Sequence, residues 1–259
     1  MEVGDWAKAE TKYEEVISLK KSVYGSKSLP AAKTVNDYAV VLAKHGRLEE
    51  ALRQYEEARG IYEALLKLEK NQDLHLLASF DFGESANLFS FDMTLIDLNI
   101  ASIKSKKGDY KGALVSYEKG VVGLRLYLEQ ERNHGSDFVE TTKMTAQKRH
   151  LVSAIGRIGS LKMKLRDNKG ALEAYLTLLK EVDNSSPISS KMEKAKAHVK
   201  CATIYRQMGN REDNRNAVVQ LKEALQMYTQ LHGTTHKDTQ AIASSLRQWK
   251  EQDALSNNL

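Results

Sequence analysis

GDYKGALVSYEKG, residues 108–120, opens on a small-residue turn at Gly108 and then sets Ala113 and Tyr117 four residues apart. The same arrangement recurs as GDWAKAETKYEEV from Gly4, GRLEEALRQYEEA from Gly46 and RDNKGALEAYLTL from Arg166. Each copy keeps Ala-x3-Tyr: Ala9/Tyr13, Ala51/Tyr55, Ala113/Tyr117 and Ala171/Tyr175, with a weaker fifth copy at Ala217/Leu221. Four matches at one internal spacing in 259 residues mark a repeat protein, in which each unit packs only on its neighbours.

Between the copies the apolar residues run at helical spacing. Residues 31–45 carry Val35, Tyr38, Ala39 and Leu42 on one stripe, and Gly46 ends that helix as a residue that accepts the left-handed turn. The next helix carries Ala51, Tyr55, Ala58 and Tyr62. Ala39 facing Ala51 lets two backbones cross closely, and Tyr55 fills the space one turn on. The same close-crossing position falls at Ala101, Gly159 and Ala202. Two prolines and 15 glycines favour helices over a turn-rich β fold.

The pattern Tyr38-Ala39, Leu42, Gly46, Leu48, Ala51, Tyr55 and Ala58 resembles the tetratricopeptide repeat (TPR), although Ala9 to Ala51 spans 42 residues where that family commonly uses about 34. TVNDYAVVLAKHGRLEEALRQYEEA is similar to the longer repeats of kinesin light chains, and HGTTHKDTQAIASSL resembles their inter-repeat linker. The resemblance implies an all-α fold, a right-handed superhelical α-solenoid of antiparallel helix pairs. One TPR array is expected over 1–255, with a half repeat at 4–22 and repeats at about 31–70, 93–131, 138–183 and 190–232. A capping helix at about 238–254 and a tail at 256–259 complete it.

The half repeat makes the chain begin mid-repeat, behind an unusual N-terminal cap or as a piece of a longer protein. The irregular spacing of the repeat alanines requires long middle helices or insertions, and GNREDNRN is expected to lengthen its turn by about three residues. Residues 71–92 break the periodicity and read as an acidic, aromatic insert with Phe80, Phe82, Phe89 and Phe91 beside Asp73, Asp81, Glu84 and Asp92. Such a segment would be either a tethered competitor for a basic groove or an ordinary extension packed on the array.

Chemistry-bearing constellations are weak. His232 and His236 flank Gly233 in an expected turn, with no third ligand near in sequence, and read as linker. Cys201, the single cysteine, sits on an inward position beside Ala202 and reads as a buried thiol; one cysteine excludes an internal disulfide and fits a reducing compartment. No phosphate-binding loop, dinucleotide fingerprint, HExxH or CxxC motif is present. No catalytic residue, metal or cofactor is therefore expected, and the chain reads as non-enzymatic. No signal peptide or apolar run of 18 residues stands out, so the expectation is a cytoplasmic protein without a membrane span.

A surface remains. Stacked first helices would line a concave groove for extended peptides. Aligning the repeats on their close-crossing residues puts Lys33, Leu95, Ser153 and Lys196 in one row. Asn36, Leu98, Gly156 and Val199 follow, then Asp37, Asn99, Arg157 and Lys200, and then Val40, Ser102, Ser160 and Thr203. Two last rows hold Met163 with Arg206, and Lys44 with Lys106 and Lys164. The expected peptide site is Lys33, Asn36, Lys44, Asn99, Lys106, Arg157, Lys164, Lys196, Lys200 and Arg206, eight of them basic against the one acid of these rows, Asp37. Lys44, Lys106 and Lys164 also complement helix dipoles.

Asn99 matches the ligand-facing asparagine of kinesin light chain-type arrays, whereas Asp37 and Arg157 depart from it, so the resemblance carries no cargo specificity. The carboxylate clamp of co-chaperone TPR domains is not reproduced as a set. The expected function is a scaffold or adaptor for protein or peptide partners, acidic ones foremost. The alternatives are the regulatory TPR portion of a larger protein and a nucleic-acid-binding helical array. The latter is suggested by a pI near 9.0 but opposed by aromatics at packing positions rather than among basic residues.

Overall fold

The computed structural model describes residues 3–70, 85–134, 142–182 and 188–256, and these are all-α, with no strand among the described residues. The helices are α1 (Val3–Tyr24), α2 (Leu29–Lys44), α3 (Leu48–Lys70), α4 (Ser85–Lys106), α5 (Tyr110–His134), α6 (Thr142–Lys164), α7 (Asn168–Glu181), α8 (Ile188–Met208), α9 (Arg211–His232) and α10 (Lys237–Ser256). The chain forms two compact units, Met1–Arg132 and Asn133–Leu259.

The turns explain why consecutive helices pair. After α2, the N–H of Gly46 bonds to the carbonyl of Ala43 (3.3 Å) and that of Arg47 to Leu42 (3.1 Å). This is the left-handed C-terminal cap, with Gly46 at φ +80°. The pattern repeats after α4 with Gly108 and Asp109 (3.3 and 3.0 Å), and after α6 with Arg166 and Asp167 (3.0 and 2.9 Å). Arg166 holds φ +62° without being glycine, so that turn alone of the three is strained. Asp109 and Asp167 then cap the following helices, each accepting the N–H three residues on, Gly112 and Gly170, at 2.9 Å.

In the first unit α1 packs on α2, α2 on α3 and α3 on α4. Ala39, Ala51 and Ala58 are fully buried, with Tyr55 and Tyr62 against them. Helices α4 and α5 cross where α5 has no side chains: a Cβ at Gly120 would lie 2.4 Å from Leu98 Cδ2, and one at Gly123 would lie 2.2 Å from Thr94 Oγ1. α1 differs from α3, its counterpart in the repeat. Val16, Leu19 and Val23 are 39%, 63% and 63% exposed, whereas Ala58, Ile61 and Leu65 at the matching positions are 0%, 6% and 4%. Its aromatic residues turn to α2, Trp6 stacking on His45 (3.9 Å) and Tyr13 on Tyr38 (5.5 Å).

In the second unit α6 packs on α7, α7 on α8, α8 on α9 and α9 on α10, and α6 also touches α8. The α8–α9–α10 core joins Ala195, Ala202, Leu221, Ala224, Tyr228, Ile242 and Leu246. α10 turns Gln248, Lys250 and Glu251 to solvent.

Two expectations need correction. The turn before α9 is not lengthened: Asn210 caps α9 by accepting the N–H of Asp213 (2.8 Å), so the added residues form helix, with Glu212 and Asp213 suited to its positive N-terminal end. Secondly, α4 starts at Ser85, inside the stretch read as an insert. Phe91 packs on Tyr127 of α5 (4.8 Å) and Asp92 accepts a hydrogen bond from Tyr62 of α3 (2.9 Å), so both belong to the array's own packing. Phe80, Phe82, Asp73, Asp81 and Glu84 lie outside the described residues. Long first helices contribute to the irregular spacing: α4 and α6 have 22 and 23 residues where α2 has 16.

Candidate peptide-binding site

The expected groove residues fall into two groups, one per unit, and the groups differ in charge. In the first, Lys33, Lys44 and Lys106 are exposed, while Asn36 and Asn99 are half-buried. Lys33 stands near two carboxylates. Burial raises the Asp37 carboxyl above its usual range, with Lys20 and Lys33 opposing the shift. Burial raises Asp92 as well, and there Asp37 adds to the shift while the Tyr62 hydrogen bond and Lys33 counter it. Asp92 thus places a second acid where the rows contained only Asp37, and this face is not a purely basic one. Lys44 and Lys106 lie in the last turns of α2 and α4, where they complement the helix dipoles.

In the second unit three of the expected cations converge. A pocket of about 230 Å3 opens between α6 and α8. Ser153, Gly156, Arg157 and Ser160 line one wall, at the spacing of one helix face, and Glu193, Lys196, Ala197 and Lys200 line the other at that same spacing. Tyr175 and Leu178 of α7 form the floor. Ser160 and Tyr175 share a hydrogen bond of 2.8 Å, and Ser160 donates to the Gly156 carbonyl at 3.1 Å. Tyr175 reaches the floor because Gly159 has no side chain: a Cβ there would lie 2.8 Å from two of its ring atoms. Lys196 is paired with Glu193 (2.9 Å), and both groups are well solvated. That pair is worth only about 0–1 kcal/mol and leaves the lysine easily recruited by a ligand.

The other two expected cations of this unit are not in the pocket. Arg206 points to α10, donating to Asp253 (2.5 Å) and Gln252 (2.8 Å), and its guanidinium lies 5.5 Å from the centre of the Trp249 ring. Lys164 sits in the last turn of α6. Of the pocket lining, Ser153, Gly156, Arg157, Ser160, Lys196 and Lys200 belong to the groove rows, whereas the floor, Tyr175 and Leu178, and the acid, Glu193, lie outside them. Tyr175 had a signal in the sequence, since it holds the repeat tyrosine position and Gly159 opposite it leaves room for its ring.

Chemistry of other kinds finds little support. Burial pushes the Cys201 thiol up to about 12, so at neutral pH it is an un-ionised thiol. His232 stacks on His236 (4.5 Å), and His236 Nδ1 accepts the backbone N–H of Asp238 (3.2 Å) at the start of α10. Among the described residues no group of three His, Cys, Asp or Glu side chains is placed to hold a metal ion. No described helix is long and apolar enough to cross a membrane.

The sequence model of the tetratricopeptide repeat matches residues 1–64, which form α1, α2 and most of α3. Residues 1–64 are thus similar to tetratricopeptide repeats. The fold likeness extends through the rest of the chain. BtubC (BKLC) from P. vanneervenii superposes with a TM-score of 0.57 at 14% identity, over 97% of this chain and 85% of that one. A Podosopora anserina protein of kinesin light chain type, with nearly identical TPR-like repeats, gives 0.52 at 15% identity, over 88% of this chain and 90% of its own. A variant of that protein carrying one glutamine-to-methionine substitution gives 0.51 at 15% identity, over 88% of each chain. The fold is thus an all-α TPR-like solenoid of the type seen in kinesin light chain repeat proteins. No curated protein is similar enough in sequence to count as a relative.

Proposed function

We propose that this chain is a non-enzymatic interaction scaffold, an adaptor that holds acidic peptide segments of a partner protein at the α6–α8 pocket. The observation that carries the reading is the convergence of Arg157, Lys196 and Lys200 on one pocket with an aromatic floor. Arg157 offers a planar fork for a carboxylate, and the lysines offer compact charges beside it. The two first helices of neighbouring repeats form the walls, which is where TPR arrays receive extended peptides. A reducing, cytoplasmic setting accords with the single buried cysteine.

The test is fluorescence anisotropy with a labelled acidic, aromatic peptide. Arg157→Glu with Lys200→Glu is expected to weaken binding by more than about tenfold, equivalent to about 1.4 kcal/mol. Lys169→Glu with Lys222→Glu, exposed on α7 and α9, is the matched control and is expected to cost under about threefold. Lys119 is unsuitable as a control because it pairs with the buried Asp97 at 3.2 Å. Equal losses in both doubles would leave only non-specific attraction and sink the reading. A salt titration with a single-stranded oligonucleotide separates the nucleic-acid alternative, which requires a slope of several released counterions.

A further inference from the structure

Resting on that reading of the α6–α8 pocket, we propose that its preferred ligand is a phosphorylated serine or threonine side chain within the acidic peptide, rather than an aspartate or glutamate. Three features support the choice. The first is charge. Arg157, Lys196 and Lys200 against Glu193 leave a formal +2 on the lining. A phosphomonoester carries about −1.5 to −2 at neutral pH and presents three strong acceptor oxygens, whereas a carboxylate brings one charge and two oxygens. One bidentate arginine satisfies a carboxylate completely. Arg157 alone would do so here, leaving Lys200 without a counterpart, since Lys196 already has Glu193 (2.9 Å).

The second feature is the supply of neutral donors. Ser153 and Ser160 stand on the same wall as Arg157, one turn to either side of it. The Ser153 hydroxyl can rotate toward an oxyanion, and Ser160 can do so by exchanging its bond to the Gly156 carbonyl (3.1 Å) for one to the ligand while keeping its bond with Tyr175 (2.8 Å). The third is depth. Gly156 lies between Ser153 and Arg157 and carries no side chain; a Cβ there would meet Leu178 Cδ1 at 3.2 Å. The missing methyl group leaves the α6 backbone between Ser153 and Arg157 open to close approach by a head group resting on Leu178.

The experiment uses the full chain and one acidic host peptide made in three forms, with Ser, Glu or phosphoserine at its centre. The phosphoserine form is expected to bind at least about tenfold tighter than the Glu form, and that gain is expected to vanish in Arg157→Gln and in Lys200→Gln. Gly156→Ala keeps every charge and suits a helix. It is expected to reduce phosphoserine binding by several-fold more than Glu binding, which separates pocket depth from general attraction. A second arm follows the thermal midpoint with O-phospho-L-serine alone, expected to rise in the wild type and not in Arg157→Gln.

If Glu and phosphoserine peptides bind equally, the phosphate proposal is overturned while the scaffold reading stands. If no host peptide binds, the acidic-peptide reading falls, and the O-phospho-L-serine arm then decides whether the pocket takes a phosphomonoester at all. A single-stranded oligonucleotide that binds more tightly than the phosphopeptide and displaces it would assign the phosphate to a nucleic-acid backbone and also overturn the proposal.

Discussion

Replacing Gly159 with alanine probes the helix crossing that supports the pocket floor. The added Cβ would lie 2.8 Å from Cε2 and Cζ of Tyr175 and 3.1 Å from Cδ2. Three atoms of one rigid ring cannot all be cleared by a rotamer change, so the ring tilts or the two helices separate. Overpacking of this kind costs about 1–3 kcal/mol. Tilting the ring also strains the Ser160–Tyr175 hydrogen bond (2.8 Å), worth about 1 kcal/mol. In the other direction, alanine is better than glycine inside a helix by about 0.5–1 kcal/mol. The balance is a loss of about 1–3 kcal/mol, and for a chain of this size each kcal/mol lowers the melting midpoint by about 2–4 °C. Melting followed by circular dichroism at the helix band is the assay. Gly60→Ala is the companion: no atom lies within 4 Å of a Cβ at that position in α3. That variant is expected to gain about 0.5–1 kcal/mol. A Gly159→Ala protein that melts as high as the Gly60→Ala protein would refute the close crossing, and with it the repeat register from which the groove rows were drawn.

Arg166→Gly relieves a left-handed residue at φ +62° and is expected to stabilise by about 0.5–1 kcal/mol; an unchanged or lower urea midpoint would count against strain in that turn. Asp92 is raised in the fold chiefly by burial above its ordinary 3.8, so the stability it carries is complete below 3.8 and is lost as pH rises through the folded value. Asp92→Asn retains an oxygen to accept from Tyr62. It is expected to be more stable than the wild type at neutral pH, with the difference shrinking toward pH 3.8; a difference that widens on acidification contradicts the burial argument. Arg206→Ala removes the contacts to Asp253, Gln252 and Trp249 and is expected to cost about 1–2 kcal/mol, read as faster amide exchange in α10. Its affinity for acidic peptide is expected to stay near the wild-type value, and a tenfold loss would return Arg206 to the site.

The repeat alanines and tyrosines were legible in the sequence because a close helix crossing admits only a small residue, and the space one turn away then needs a ring. Ala51, Tyr55, Ala113, Tyr117, Ala171 and Tyr175 are all buried as that logic requires. Ala9 and Tyr13 obey the same spacing yet remain half-buried, since burial depends on which neighbour a helix finds and not on its own pattern. The start of α4 was illegible for a related reason. An acidic, phenylalanine-rich stretch has no helical period of its own, and only contact with α3 and α5 makes Phe91 and Asp92 part of a packed face.

The sequence alone determined the helix pairs, the turn glycines and the set of side chains on the exposed face of each first helix, because these follow from the local 3.6-residue period and backbone sterics. The choice among the eight cations of those faces belonged to the tertiary structure. Arg206 was drawn to α10 by an acid 47 residues away in sequence, Lys33 was set near Asp92 of α4, and Arg157, Lys196 and Lys200 were brought to one pocket. Electrostatic partners act across distances of a few ångströms in space, and no spacing along a single helix encodes which other helix will supply them.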